Sequence, residues 1–132
     1  MPSHHSRRVV HITAWVLQVL LALIFFTAAI TKIVGVPMMV DTFERIGVGQ
    51  WFRFLVAAVE IVGAIMMLVP TFNVIGAAIL AATMAGAIVA HLSVLTTSFI
   101  PALILLVLLL SILWLRRSQV LSLCDQLVRV SP

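Results

Sequence analysis

The sequence predicts an all-α protein: a bundle of four transmembrane helices, with a short interfacial helix between the first and second spans. Three observations carry this. Of 132 residues, 64% are hydrophobic and only 9% are charged, whereas a soluble domain has about 25% charged residues, so there is too little charge to cover a water-soluble surface. The apolar residues fall into four runs read as membrane spans, a span needing about 20 apolar residues. Proline, glycine and charge collect at the ends of those runs. The length fits one domain, residues 1–132.

Residues 1–8 are polar and basic, and the apolar run behind them is too long for a signal-peptide core and has no cleavage site, so it reads as an uncleaved anchor. The first span covers about residues 12–36. It carries Trp15 near the interface and is broken only by Gln18, threonines and Lys32. Pro37 ends it, because proline lacks an N–H and disfavours helix in the residue before it. In residues 38–46, Met39, Val40, Phe43 and Ile46 recur at helical spacing, with Asp41, Thr42, Glu44 and Arg45 between them. That pattern predicts a short helix lying in the interface, stopped by Gly47 and Gly49.

The second span, about residues 51–69, opens on Trp51 and Phe52, an aromatic-belt pair, and Pro70 closes it. The third, about residues 74–95, is rich in small residues. Gly76, Ala82, Gly86 and Ala90, with Ala77, Ala78 and Ala81 beside them, predict close packing into the bundle centre, with homo-oligomerisation as the alternative use. After a polar turn, the fourth span runs over about residues 101–115 and ends at Trp114, Arg116 and Arg117. In the tail, residues 118–132, Val120, Leu121, Cys124, Leu127 and Val128 share one helical face. The tail is therefore read either as an interfacial helix or as a frayed end.

Arg7, Arg8, Arg116, Arg117 and Arg129 flank the two termini. Arg45 and Arg53, on the other side, are offset by Asp41 and Glu44. Positive charge on the inner side puts both termini in the cytoplasm, with the chain in the cell (plasma or inner) membrane. The net charge of +4 is scattered over span ends without a basic stripe, which argues against nucleic acid as a partner. Cys124 is the one cysteine, so no internal disulfide forms. His4 and His5 read as a solvated pair. Met38, Met39, Met66 and Met67 read as apolar packing rather than copper ligands, and His91 has no second axial ligand for a haem. No metal site is expected.

The chemistry rests on three ionisable residues inside apolar runs: Lys32, Glu60 and His91. A charge at bilayer depth costs about 2.5–3.5 kcal/mol on insertion scales, and such residues mark functional sites by default. Lys32 lies near the outer end of the first span, Glu60 about 13 Å below Trp51 at helical rise, and His91 about a turn below the end of the third. Helical phase adds neighbours. Gln18, Phe25 and Ala29 share the Lys32 face, Gly63 and Met67 that of Glu60, and Met84 and Ala87 that of His91. These residues form the candidate ligand lining, with Glu60, His91 and Lys32 as proton-transfer or polar contact groups. The plainer alternative is a structural Lys32–Glu60 pair, with His91 as a hydrogen-bonded core residue.

The run from Leu20 to Gly35, with Phe25-Phe26, Ala28 and Thr31-Lys32-Ile33, followed by Pro37, Phe43 and Gly47, resembles the first part of the DoxX-like membrane proteins. Val59-Glu60-Ile61-Val62-Gly63 resembles their Glu-x-x-Gly helix, and Met84-Ala85-Gly86-Ala87 through His91 and Trp114-Leu115-Arg116-Arg117 continue the match. The chain departs at Val48-Gly49, where many relatives have a proline. The resemblance implies a four-helix integral membrane protein associated with membrane redox chemistry. Relatives include subunits of thiosulfate:quinone oxidoreductases and partners of oxidative-stress complexes, and distant relatives are assembly factors or cargo receptors. Lys32, Glu60 and His91 match the family's polar helix positions.

The leading expectation is therefore a small membrane component that binds a lipophilic molecule such as a quinone at the Lys32/Glu60/His91 site. No flavin, iron–sulfur or dinucleotide motif is present, so no intrinsic cofactor is expected and electrons would need a redox partner or the quinone itself. The second expectation is a non-catalytic assembly factor or accessory subunit. The third is a proton-coupled exporter; small multidrug transporters carry their essential glutamate in the first span, whereas Glu60 is in the second.

Overall fold

The computed structural model describes residues 3–131. All regular elements among them are helical: α1 (His4–Val34), α2 (Pro37–Ile46), α3 (Gln50–Leu68), α4 (Asn73–Ala90), a π-helical turn (His91–Leu95), α5 (Ile100–Leu115) and α6 (Arg117–Val130). The boundaries follow local chemistry. The Ser3 hydroxyl accepts from the Ser6 N–H and starts α1 well before the apolar run, so the polar N-terminus and the first span form one helix of 31 residues. Gly35 ends α1 in the left-handed conformation, and Pro37 opens α2 at a position where its missing N–H costs nothing. At the turn between α2 and α3, Gly47 and Gly49 both take positive φ (81° and 112°). Pro101 opens α5 in the same way as Pro37 opens α2.

Four helices form a closed ring. α1 packs on α3, α3 on α4 and α4 on α5, and a thinner α1–α5 contact completes it. The core holds Leu21 and Phe25 of α1, Ala64 of α3, Leu80 of α4, and Leu109 and Ile112 of α5. α3 and α4 meet closest at Gly63 and Gly76: a Cβ on Gly76 would stand 2.5 Å from the Met67 nitrogen and 2.6 Å from the Gly63 carbonyl oxygen. The outer faces of the ring are apolar and exposed, Leu23, Ile30, Val62, Ile65, Ile104 and Val107 among them. Water-soluble monomers rarely leave continuous apolar surface of that extent uncovered, and lipid is the solvent that covers it. The chain is an integral membrane protein.

Three stretches are long and apolar enough to cross a membrane: α1, α3, and α4 with the π-turn. α5 qualifies only together with α6, and the two are bent by 75°. The tail is helical over Arg117–Val130 rather than frayed. The third run is not one uniform helix but α4 followed by the π-turn, which Thr96 closes at φ 51°. The stripe of small residues divides. Gly76, Ala77 and Ala81 pack inward, whereas Ala78, Ala82 and Gly86 face out, and a Cβ on Gly86 would meet nothing within 4 Å. The expected inward packing therefore holds only for the first half of α4, because a spacing of six residues leaves Gly76 and Ala82 on different faces.

Candidate functional site

Lys32 lies in the last turn of α1 and Glu60 in the middle of α3. The two helices run antiparallel through a close contact, with Ala29 and Ala57 completely buried at this level; these methyl side chains let the backbones approach. The Lys32 ammonium bonds both carboxylate oxygens, Oε1 at 3.1 Å and Oε2 at 3.0 Å, and also donates to the Ala28 carbonyl at 3.4 Å. Glu60 is 2% exposed and Lys32 12%. The carboxylate is therefore nearly sealed, and the ammonium is the more accessible of the two. Two desolvated charges are tolerated only when each is fully paired, and this fork of charge-assisted bonds meets that condition.

Arg53 stands behind the pair. It is 7% exposed, donates from Nη1 to the Lys32 carbonyl and from Nε to Gln50 Oε1 at 2.9 Å, and lies 4.5 Å over the Phe54 ring. Its guanidinium caps the C-terminal end of α1, where unpaired carbonyls and the helix dipole favour a cation. Gly35 leaves room for it: a Cβ there would come 3.1 Å from Nη1. α2 roofs this end of the bundle. Phe43 meets Phe52 edge-on at 5.9 Å, and the Val40 carbonyl accepts from Gln50 Nε2 at 3.0 Å. By sequence Arg53 reads as a loop charge. The available signal was its place one turn inside an apolar helix.

His91 is half-buried at the start of the π-turn, which packs against α2. Its Nδ1 shares a 2.8 Å bond with Thr97 Oγ1, and among the described residues it bonds to neither Lys32 nor Glu60. Gly63, Met67, Met84 and Phe25 belong to the packed interior. Gly63 faces Leu80 across α3 and α4, and Ala87 packs at the edge of the core.

Gln18 lies far from the pair. Fourteen residues separate it from Lys32, about 21 Å along α1. It is fully buried in a second polar cluster, where its Nε2 donates to the Met67 carbonyl at 2.6 Å and its Oε1 accepts from Arg116 Nε and Nη2 at 2.9 and 2.7 Å. Arg116 is itself 7% exposed and lies 5.5 Å over the Trp15 ring. Sequence reasoning used Arg116 only as a topology marker.

The bundle thus offers one sealed acid–base pair with a cationic backing at the α2 end, and one neutral-amide and guanidinium knot at the end bearing the termini. The first combines a carboxylate and an ammonium that can hydrogen-bond or exchange protons with a ligand. The second has no group that changes charge near neutral pH. Compared with known proteins, residues 16–115 match the model of the family described as DoxX-like. No curated protein and no solved structure matches the chain.

Proposed function

The chain belongs to the DoxX-like family, and from that premise we propose that it is a small component of membrane redox chemistry that holds a lipophilic molecule, of the quinone class, at the Lys32–Glu60 pair. The observation that supports this is the 3.0 Å contact of an ammonium and a carboxylate inside an apolar bundle, with Lys32 more exposed than Glu60. A quinone carbonyl approaching Lys32 accepts a hydrogen bond from it. Reduction to the quinol takes up two electrons and two protons. A redox partner supplies the electrons; Lys32, the more accessible member of the pair, passes one proton to a reduced oxygen and takes one back from water while Glu60 holds its charge, and His91 at the same end carries the second proton. In this reading α1, α3, α4 with its π-turn, and α5 are the four spans, α2 and α6 lie in the two interfaces, and both termini are cytoplasmic.

The test uses the full chain in lipid nanodiscs and a short-tailed quinone, with tryptophan quenching as readout. The wild type should bind saturably. Lys32→Met combined with Glu60→Gln keeps the pair neutral and should abolish binding while the helical fold is retained. Absence of saturable binding by the wild type defeats the proposal. For the topology, Ser3→Cys and Ser131→Cys on a Cys124→Ser background should resist labelling from outside intact cells.

A second reading, a non-catalytic assembly factor, draws on the near-complete burial of Glu60, which suits a tie between α1 and α3. The double substitution separates the two, because a cell phenotype that survives it favours the tie.

A further inference from the structure

We propose that the elbow between α5 and α6 binds a phospholipid of net negative charge, with its phosphate on Arg117 and an acyl chain in the groove along the outer face of α5. The groove holds about 390 Å³ and is lined by Val107, Leu110, Ser111, Trp114 and Leu115. From Val107 to Leu115 it runs about 12 Å at helical rise, and Val107, Leu110 and Trp114 in it are exposed. The Ser111 hydroxyl donates to the Val107 carbonyl at 2.8 Å, so the lining presents hydrocarbon and one indole to a chain lying in it.

Three features select the headgroup. First, a cation is held where the groove ends. The Arg117 guanidinium lies 5.0 Å over the Trp114 ring, and its Nη1 donates to the Trp114 carbonyl at 3.4 Å. Stacking on the indole fixes its place, and the planar fork of five donors, most of them still free, fits a phosphate. Second, this cation is exposed and unopposed: among the described residues no carboxylate pairs with it. Its neighbour Arg116 is instead turned inward onto Gln18. Third, nothing at the elbow receives a positive headgroup. α1, α5 and the first turn of α6 contain no acidic residue, and Asp125, the one acid after Glu60, is tied to Arg129 at 3.0 Å. A zwitterionic lipid brings its ammonium to a place without a counter-charge. A net negative headgroup meets Arg117 alone, the pairing by which basic residues beside a span attract anionic lipid. The 75° bend between α5 and α6 puts the end of the apolar groove and the start of the polar surface at this one point.

The test uses the full chain, delipidated in an uncharged detergent at physiological salt. It is titrated with phosphatidylglycerol, phosphatidylethanolamine and diacylglycerol of identical acyl chains, and with glycerophosphoglycerol, the headgroup without chains. Native mass spectrometry counts bound lipid, and the unfolding midpoint, which a ligand of the folded state raises saturably, follows occupancy. Phosphatidylglycerol should bind saturably and about tenfold more tightly than phosphatidylethanolamine. Diacylglycerol, lacking the phosphate, and glycerophosphoglycerol, lacking the chains, should give no shift. Arg117→Gln, at an exposed position, should abolish the preference. Arg129→Gln removes the same charge about 18 Å further along α6, more than two screening lengths of about 8 Å, and should leave the preference within about twofold. Only the placement of α5 as the fourth span is shared with the function proposed above, so Lys32→Met with Glu60→Gln should bind this lipid as the wild type does. Equal binding of the two phospholipids, an equal shift with diacylglycerol or with the bare headgroup, or equal losses in Arg117→Gln and Arg129→Gln overturns the proposal.

Discussion

The two buried polar clusters sit at opposite ends of one bundle and are made of unlike materials. At the α2 end, Lys32 and Glu60 balance each other's full charges across α1 and α3. At the other end, the permanent cation of Arg116 is held by the neutral Gln18 amide, which also reaches the Met67 carbonyl, so that α1, α3 and the end of α5 are joined. The first cluster loses its balance when either partner changes. The second has no balance to lose, because its cation sits at a helix end from which it can turn to water. The pair is therefore the more sensitive of the two to a change of charge, and the amide knot fastens three helices together.

The comparison is broken most severely by Glu60→Gln. The ammonium of Lys32 keeps its burial and loses its carboxylate; breaking one side of a buried pair costs about 3–5 kcal/mol, less whatever Lys32 recovers by reaching toward the interface. Unfolding in detergent should show this loss, and adding Lys32→Met should restore most of it. A single variant as stable as the wild type would mean that the pair contributes little. Gln18→Leu should cost less, about 1.5–3 kcal/mol, the worth of hydrogen bonds to a charged group, since Arg116 can turn outward. If it costs more than Glu60→Gln, the fastening role has been assigned to the wrong end. The mildest test concerns packing between the two ends. Gly76→Ala should destabilise by about 1–3 kcal/mol through overpacking, whereas Gly86→Ala, in open space, should be neutral or slightly stabilising. Equal effects at the two glycines would contradict the division of α4 into inward and outward small residues.

The pair was legible in the sequence because each member is a lone charge deep in a long apolar run, and depth can be counted in residues from span ends marked by proline, glycine and tryptophan. Gln18 shows the limit of that reasoning. Helical phase puts it correctly on the Lys32 face of α1, but phase gives direction and not height, and its partners lie two-thirds of a membrane away. Arg53 and Arg116 were illegible for another reason. An arginine one turn from a span end reads as a topology signal, while its long stem can equally fold the guanidinium back onto buried carbonyls. The π-turn from His91 escapes any reading based on a 3.6-residue period, since it departs from that period. Its effect is to leave the imidazole bonded to Thr97 at the end of its own helix.

The brevity of α5 has a consequence for the surrounding bilayer. Its 16 residues rise about 24 Å, short of the roughly 30 Å of a typical hydrocarbon layer, whereas α1 at 31 residues rises about 46 Å. Taken as the fourth span, α5 creates a hydrophobic mismatch on one side of the molecule only, and the inward-drawn Arg116 marks where the acyl chains must stop. Lipids beside α5 are then compressed or α5 tilts, while those beside α1 are not. In that arrangement the bilayer would be thinner beside α5 than beside α1, and the orientation of the protein among its neighbours would follow acyl-chain length.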